Sequence, residues 1–205
     1  MDPRQFPTKG NLMLAKNSLT LAHQGYDLMD KKRNILLKEL MGIIDEAKGI
    51  QEEIDITFTR AYACLQRANI EHGISLVQEL AFTVPIEESI RIQTRSIMGT
   101  EIPHVRYDDR QNELTYSFST TSESIDIVRE AFREVKALTI KLAEVENSAY
   151  RLARNIKKTQ KRANALKNIT IPMYSERVRN INNVLEEKER EEFTRLKVIK
   201  RMGAG

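Results

Sequence analysis

From Leu12 the apolar positions advance by alternating threes and fours through Ala15, Leu19, Ala22, Tyr26, Met29, Arg33, Leu36, Leu40, Ile43, Ala47, Ile50 and Ile54, with only Arg33 polar. A stripe that repeats every 3.5 residues keeps one face of a helix against a partner helix along its whole length, and so predicts a coiled coil. The rhythm returns from Val128 through Phe132, Val135, Leu138, Leu142, Val145, Ala149, Leu152, Ile156, Thr159, Ala163, Leu166 and Ile169, where Thr159 is the polar exception. The steps from Val135 to Leu138 and from Leu166 to Ile169 break the alternation and predict local overwinding.

Both seams lie in one chain, so an antiparallel hairpin of helices is the economical arrangement; a parallel homodimer would leave two different seams, each needing its own copy. A helix of about 45 residues is about 70 Å long, and a rod is therefore expected. Between the seams the pattern changes. Residues 58–66 still look helical, Asn69 and Gly73 read as a stop, residues 75–81 as a short helix, and Val84-Pro85 as a break. Residues 90–94, 102–107 and 114–118 alternate apolar with polar. This predicts a strand and then a β-hairpin whose polar turn is Asp108-Asp109-Arg110-Gln111-Asn112. Isolated hairpins are marginal in water, so this one must pack on the helices or on a partner.

The expected fold is mainly α: a long antiparallel two-helix coiled coil with a small α+β knob, containing the hairpin, at its closed end. Its parts are residues 1–68, 69–124 and 125–205. After Ile169, Thr170-Ile171-Pro172 predicts a kink or one opened hydrogen bond, and residues 175–202 resume as a mostly charged helix. With residue 69 opposite 125, Leu12 falls opposite about residue 182, and roughly the last twenty residues extend without a partner from their own chain. An unpaired amphipathic tip is expected to meet another protein.

Composition sharpens this picture. Of 205 residues, 30% are charged and 6% aromatic, with no Trp, and the prolines at 3, 7, 85, 103 and 172 leave residues 8–84 and 104–171 free of helix breakers. A sandwich or an α/β enzyme would not read so. Net charge is +4, but residues 1–124 carry 14 basic against 18 acidic side chains and residues 125–205 carry 19 against 11. Cys64 is the single cysteine, which excludes an internal disulfide. Residues 1–20 contain no apolar core of a leader, and the longest apolar runs resemble Ala61-Tyr62-Ala63-Cys64-Leu65, so neither a signal peptide nor a membrane span is expected.

Candidate chemistry is sparse. His23, His72 and His104 have no ligand-spaced companion on their own elements, Cys64 reads as a packing residue, and no glycine-rich phosphate loop exists. No enzyme activity, metal or cofactor is expected. Glu186, Glu187, Glu189, Glu191 and Glu192 alternate with Lys188 and Arg190 as a solvated helix face does. Arg151, Arg154, Lys157, Lys158, Lys161, Arg162 and Lys167 form a basic stretch without an acid. Nucleic acid is one reading, but no aromatics interleave; docking on an acidic protein surface, or pairing with acids of the first helix, are the others.

The chain ends are more specific. Pro7-Thr8-Lys9-Gly10-Asn11-Leu12, continuing through Leu19, Ala22, Gly25, Leu28 and Lys31-Lys32-Arg33, resembles the D subunit of V-type and archaeal A-type rotary ATPases. So do residues 161–166, Ile171-Pro172 and residues 185–200, while Met98-Gly99 and Pro103 carry the likeness in the middle. The resemblance implies a non-catalytic central-stalk rotor shaft that transmits torque between the catalytic hexamer and an ion-translocating membrane ring. Implied partners are the catalytic and regulatory nucleotide-binding subunits, the F subunit and the cap subunit of the membrane ring, with no nucleic acid and no membrane insertion. The location implied is cytoplasmic and peripheral to the membrane. The tip residues Pro7, Thr8, Lys9, Arg190, Phe193, Arg195, Leu196, Lys197 and Lys200 are then expected to contact the ring. Ile102, Val105, Tyr107, Tyr116 and Phe118 are expected to present the hairpin to a partner. The rival readings are a free-standing coiled-coil scaffold and a basic helical nucleic-acid binder.

Overall fold

The computed structural model describes residues 6–107, 116–117 and 121–203. In chain order they form α1 (Lys9–His72), α2 (Ile74–Thr83), β1 (Arg91–Ile97), β2 (Thr100–Arg106), α3 (Glu123–Ala165), a π-helical turn (Leu166–Thr170) and α4 (Ile171–Met202). The chain divides into two compact units, one of Met1–Ile35 with Ile156–Gly205 and one of Leu36–Asn155.

Helix α1 starts where Thr8 caps it: Asn11 N–H donates to Thr8 Oγ1 at 3.2 Å, and the Asn11 side-chain amide donates to the Phe6 carbonyl at 2.8 Å. It ends at Gly73, whose φ of 83° no side-chain-bearing residue adopts cheaply, and whose N–H closes the last turn on the Asn69 carbonyl. Asn69 is thus still helical, and the stop is Gly73 alone.

In the unit Leu36–Asn155, Ile50 and Ile54 of α1 bury against Val145 of α3, with Ile43, Ala47, Phe58, Leu138 and Leu142 packed around them. Farther along α1 and back along α3, Ala61 meets Ala131 and Val135, flanked by Phe58 and Phe132. The advance on one helix and retreat on the other makes the pair antiparallel. Leu36 and Leu152 are fully buried. In the other unit, Gly25 of α1 faces Leu166 Cδ1, Arg33 donates to Gln160 Oε1 at 2.9 Å, and Lys9 sits 3.0 Å from Glu189 of α4. That order is antiparallel too. The seam positions Leu19, Leu36, Leu40, Ile43, Ile50, Val135, Leu142, Leu152, Ile156 and Leu166 are all buried or half-buried.

Two expectations are corrected. Ile169 is 66% exposed, and the covered face passes instead through Leu166, Thr170, Ile171 and Tyr174 to buried Ile181. The chain there is not overwound but widened into a π turn, with the Ile171 N–H bonded to the Leu166 carbonyl. Proline at 172 has no N–H, and its ring would collide with the carbonyl four residues back; the wider turn relieves both, so the helix runs on to Met202 without stopping.

The hairpin is the second. β2 pairs antiparallel with β1, Ile97 opposite Thr100 and Arg91 opposite Arg106, so the described hairpin joins β2 to the strand before it. Its turn is Met98-Gly99, both at positive φ (48° and 75°), a two-residue turn whose twist matches the strands. The expected turn residues 108–112, with Leu114 and Phe118, lie outside the described residues, and Tyr116 and Ser117 are not in a strand.

Candidate interaction surfaces

The tip is built on α4. Ile181 is buried and Leu185 half-buried, but Glu192 and Ile199 occupy the next two equivalent heptad positions and both are exposed. Phe193 (69%), Leu196 (66%), Ile199 (65%) and Met202 (80%) stand bare on the same helix end, beside exposed Arg190, Arg195, Lys197 and Lys200. Lys9 and Thr8 are exposed and Pro7 half-buried at the start of α1. Glu189 raises the pKa of Lys9 through its hydrogen bond and its charge. Residues 190–202 therefore carry a seam with no helix of their own unit against it among the described residues. The Arg195–Glu191 pair, at 3.9 Å and exposed, is a weak tie within the helix.

The hairpin is held by one of its edges. In a ladder closed by a two-residue turn, the outward main-chain groups of β2 belong to residues 101, 103 and 105. Each is met by a side chain of α3. Arg151 donates to the Glu101 carbonyl (3.3 Å), Ser148 to the Pro103 carbonyl (3.5 Å), and the Val105 N–H donates to Glu144 Oε2 (2.9 Å). Glu144 also holds His104 Nδ1 at 3.0 Å, and Asn155 bonds Thr100. Positions 144, 148, 151 and 155 share one helix face, so α3 stands in for a third strand, and Pro103 is tolerated because its missing N–H points outward. At the base, Lys136 bonds Glu87 Oε2 at 2.7 Å and lies over the Tyr107 ring, holding the Glu87 carboxyl down to about 2. Ile102 is buried (3%) against its own unit, Val105 and Tyr107 are half-buried, and the Tyr116 hydroxyl donates to Asp126 at 2.5 Å. Sequence reasoning missed Ile92, 70% exposed opposite Val105, because it did not join β2 to β1.

Near Gly73, α2 buries none of its residues, leaving Ile74 and Phe82 bare, with Ile70, Val84 and Ile86 beside them. Ser122 clasps the ends of α1 and α3, lying 2.7 Å from His72 Nε2 and from Ser124 Oγ and donating to Glu71. Hydrogen bonds, from Ser124 first and then Arg67, lower the Glu71 pKa. Of the basic stretch, Arg151 serves the hairpin and Lys167 lies over Tyr26; Arg154, Lys157, Lys158, Lys161 and Arg162 are exposed and pair with no acid of α1 among the described residues. Cys64 is half-buried. Among the described residues no helix is long and apolar enough to cross a membrane, and no group of three or more His, Cys, Asp or Glu could hold a metal.

The profile of the family of ATP synthase D subunits matches residues 11–201. The chain is 43% identical to the V-type ATP synthase D subunit of Thermotoga neapolitana over 194 residues, 95% of this chain and 96% of that protein. It is 36% identical to the A-type ATP synthase D subunits of Thermococcus sibiricus and Pyrococcus abyssi, each over 197 residues, 95% of this chain and 92% of each relative. With its paired long helices and hairpin-bearing insert, the chain belongs to the family of D subunits of V-type and A-type ATP synthases.

Proposed function

We propose that the chain is the non-catalytic central-stalk shaft of a rotary ATPase, turning inside the nucleotide-binding hexamer and coupling it to the ion-translocating membrane ring. The single observation that carries this reading is the exposed end of α4, where residues 190–202 continue a seam that no described residue of their own unit covers. The catalytic and regulatory subunits of the head supply that cover, through Pro7, Thr8 and Lys9 on one helix and Arg190, Phe193, Arg195, Leu196, Lys197 and Lys200 on the other. The bare face of α2 suits the cap subunit on the membrane rotor, and the exposed outer leucines of α1 at Leu14, Leu21 and Leu28 suit the F subunit. The protein then works on the cytoplasmic side, peripheral to the membrane.

A shaft must show each ring site a different face and must carry twist. Two dissimilar helices provide the asymmetry, and interlocked seam side chains resist twisting because rotation would pull them from their holes. At the tip, exposed ion pairs of about 0–1 kcal/mol each exchange easily as the shaft turns, whereas a few buried anchors would lock one dwell. Affinity capture of the chain from its host, followed by mass spectrometry, tests the assignment: nucleotide-binding ring subunits should be recovered, and recovery of the chain alone as a dimer would favour a scaffold. A chain truncated after Leu185 should keep its helicity yet lose retention on the ring, and retention of the intact chain should fall with added salt. Salt-independent retention would refute the charged tip.

A further inference from the structure

We infer that the exposed strand β1 is a docking edge for an acidic, extended segment of a partner subunit, gripped by Arg91, Arg95 and Arg106. Side chains at 91, 93 and 95 of β1 share one face with those at 102, 104 and 106 of β2, because alternate residues of a strand point the same way. On that face the β2 half is covered at Thr100 (7%) and Ile102 (3%), while all of β1 from Arg91 to Ser96 is exposed. The open half carries Arg91 and Arg95, and exposed Arg106 faces Arg91 from the end of β2. Arg91 stands directly opposite Arg106, a like-charge pair that destabilises a ladder, and Arg95 lies two repeats farther along the same strand face.

None of the three guanidiniums has an ion pair or hydrogen bond among the described residues. Glu144, the α3 carboxylate that reaches the hairpin, is already spent on His104 and the Val105 N–H. The two edges of the hairpin differ in the same sense. The outer edge of β2 is closed by α3 side chains, whereas among the described residues nothing bonds the main-chain edge of β1 at residues 92, 94 and 96. A strand carrying Asp or Glu on one face would add to that edge and place carboxylates against the arginines, relieving the Arg91/Arg106 repulsion that the chain bears alone. The docked partner's being a component of the rotary ATPase rests on the rotor reading; the arginine face does not.

The test uses the complex isolated from its host around the full-length chain. Arg91→Lys with Arg95→Lys keeps the charge and supplies amines, which a water-soluble carbodiimide joins to any carboxylate in contact. Mass spectrometry should find positions 91 or 95 amide-linked to Asp or Glu of another subunit. Exchanging Arg91, Arg95 and Arg106 for Gln should cut retention of that subunit about tenfold, without lowering helicity or the thermal midpoint, since the three are unbonded. Removing Lys157, Lys158 and Lys161 in the same way should leave the carbodiimide product of the lysine variant intact. Links only to this chain's own carboxylates, no link, or undiminished retention by the Gln variant would overturn the docking edge. A complex that holds a linked acidic partner but no nucleotide-binding ring would instead overturn the rotor reading and leave the docking edge standing.

Discussion

The two units use one heptad rhythm with different material. In Leu36–Asn155 the large buried side chains are Leu36, Ile50, Ile54, Val135, Val145 and Leu152, beside the smaller Ala61, Ala68 and Ala131; Ile50, Ile54 and Val145 form one apolar cluster and Ala61, Ala131 and Val135 another. In the unit formed by the chain ends the buried positions are Ala15, Ala22, Thr159, Ala163 and Ile181. Fully burying a Leu or Val stabilises by about 1.5–3 kcal/mol, and an Ala by much less, so each layer of the second seam contributes a fraction of what the first does. Polar ties substitute: Arg33 links Gln160 at 2.9 Å and Asp30 at 2.6 Å, and Gln160 passes the chain on to Asn164. The π turn lies in this unit as well. Equal periodicity therefore does not mean equal cohesion. The unit with the knob holds the stability, and the unit with the tip is the compliant one.

The most severe test of that contrast is truncation of the two leucines with no exposed surface. Leu36→Ala and Leu152→Ala should each cost about 3–5 kcal/mol by denaturant unfolding. Leu40→Ala and Leu142→Ala, only half-buried, should cost roughly 1–3 kcal/mol, and Ala163→Gly in the other unit about 1 kcal/mol, mostly from helix propensity. Comparable losses at Leu152 and Ala163 would break the comparison.

A smaller effect is expected where the compliant unit adjusts its own register. Deleting exposed Ile169 together with Pro172→Ala removes both the extra residue of the π turn and its cause. An ordinary α-helix should then carry Leu166 to Ile181 on one face, with stability changed by no more than about 1 kcal/mol. Deleting Arg154 should be far worse, because it rotates everything beyond it by about 100° relative to the seam. If both deletions are equally harmful, the π turn is not the register device described.

Acid should act on the other unit. Lys136, through its hydrogen bond, and then Ser89 hold Glu87 at about 2, below the ordinary 4.5. A carboxyl depressed in the folded state contributes stability that is complete above its unfolded value and lost as pH falls through the folded one. The advantage of the native protein over Glu87→Gln should therefore be present at pH 6, shrink below about pH 5 and vanish near pH 2. A difference independent of pH would mean that Glu87 supports the knob by shape alone.

The fold was largely legible because period and burial coincide: the stripe through Leu12, Ala15 and Leu19 and its counterpart from Val128 are where the helices cover each other. What failed was local chemistry. Residues 102–107 and 114–118 both alternate, and the polar run between them outweighed Met98-Gly99, although a Gly after a residue able to take positive φ is the shorter turn. Ile169 was misplaced for a related reason, since periodicity has no symbol for an inserted residue, and only Pro172 hinted at one. Of the candidate surfaces, the tip could be found from a seam that outlasts its partner. The α3 ladder of Glu144, Ser148, Arg151 and Asn155 could not, because these read as ordinary polar helix positions until β2 is placed beside them.

The smallest expected effect concerns that turn and bears on how local the strain in the stable unit is. Met98 holds φ 48°, a left-handed conformation that costs a side-chain-bearing residue about 1–2 kcal/mol, while Gly99 at 75° takes its own at no steric cost. Asn tolerates this region better than Met, and Asn-Gly is the favoured pair for such a turn. Met98→Asn should accordingly stabilise the hairpin by about 0.5–1 kcal/mol and leave global unfolding almost unchanged, because α3 holds β2 through separate bonds. The readout is hydrogen exchange of the ladder amides of Ile102 and His104, which face β1: it should slow by a factor of about two to five. Gly99→Ala should accelerate the same amides. Faster exchange in Met98→Asn would mean that the half-exposed Met98 side chain contributes packing worth more than the backbone strain it imposes.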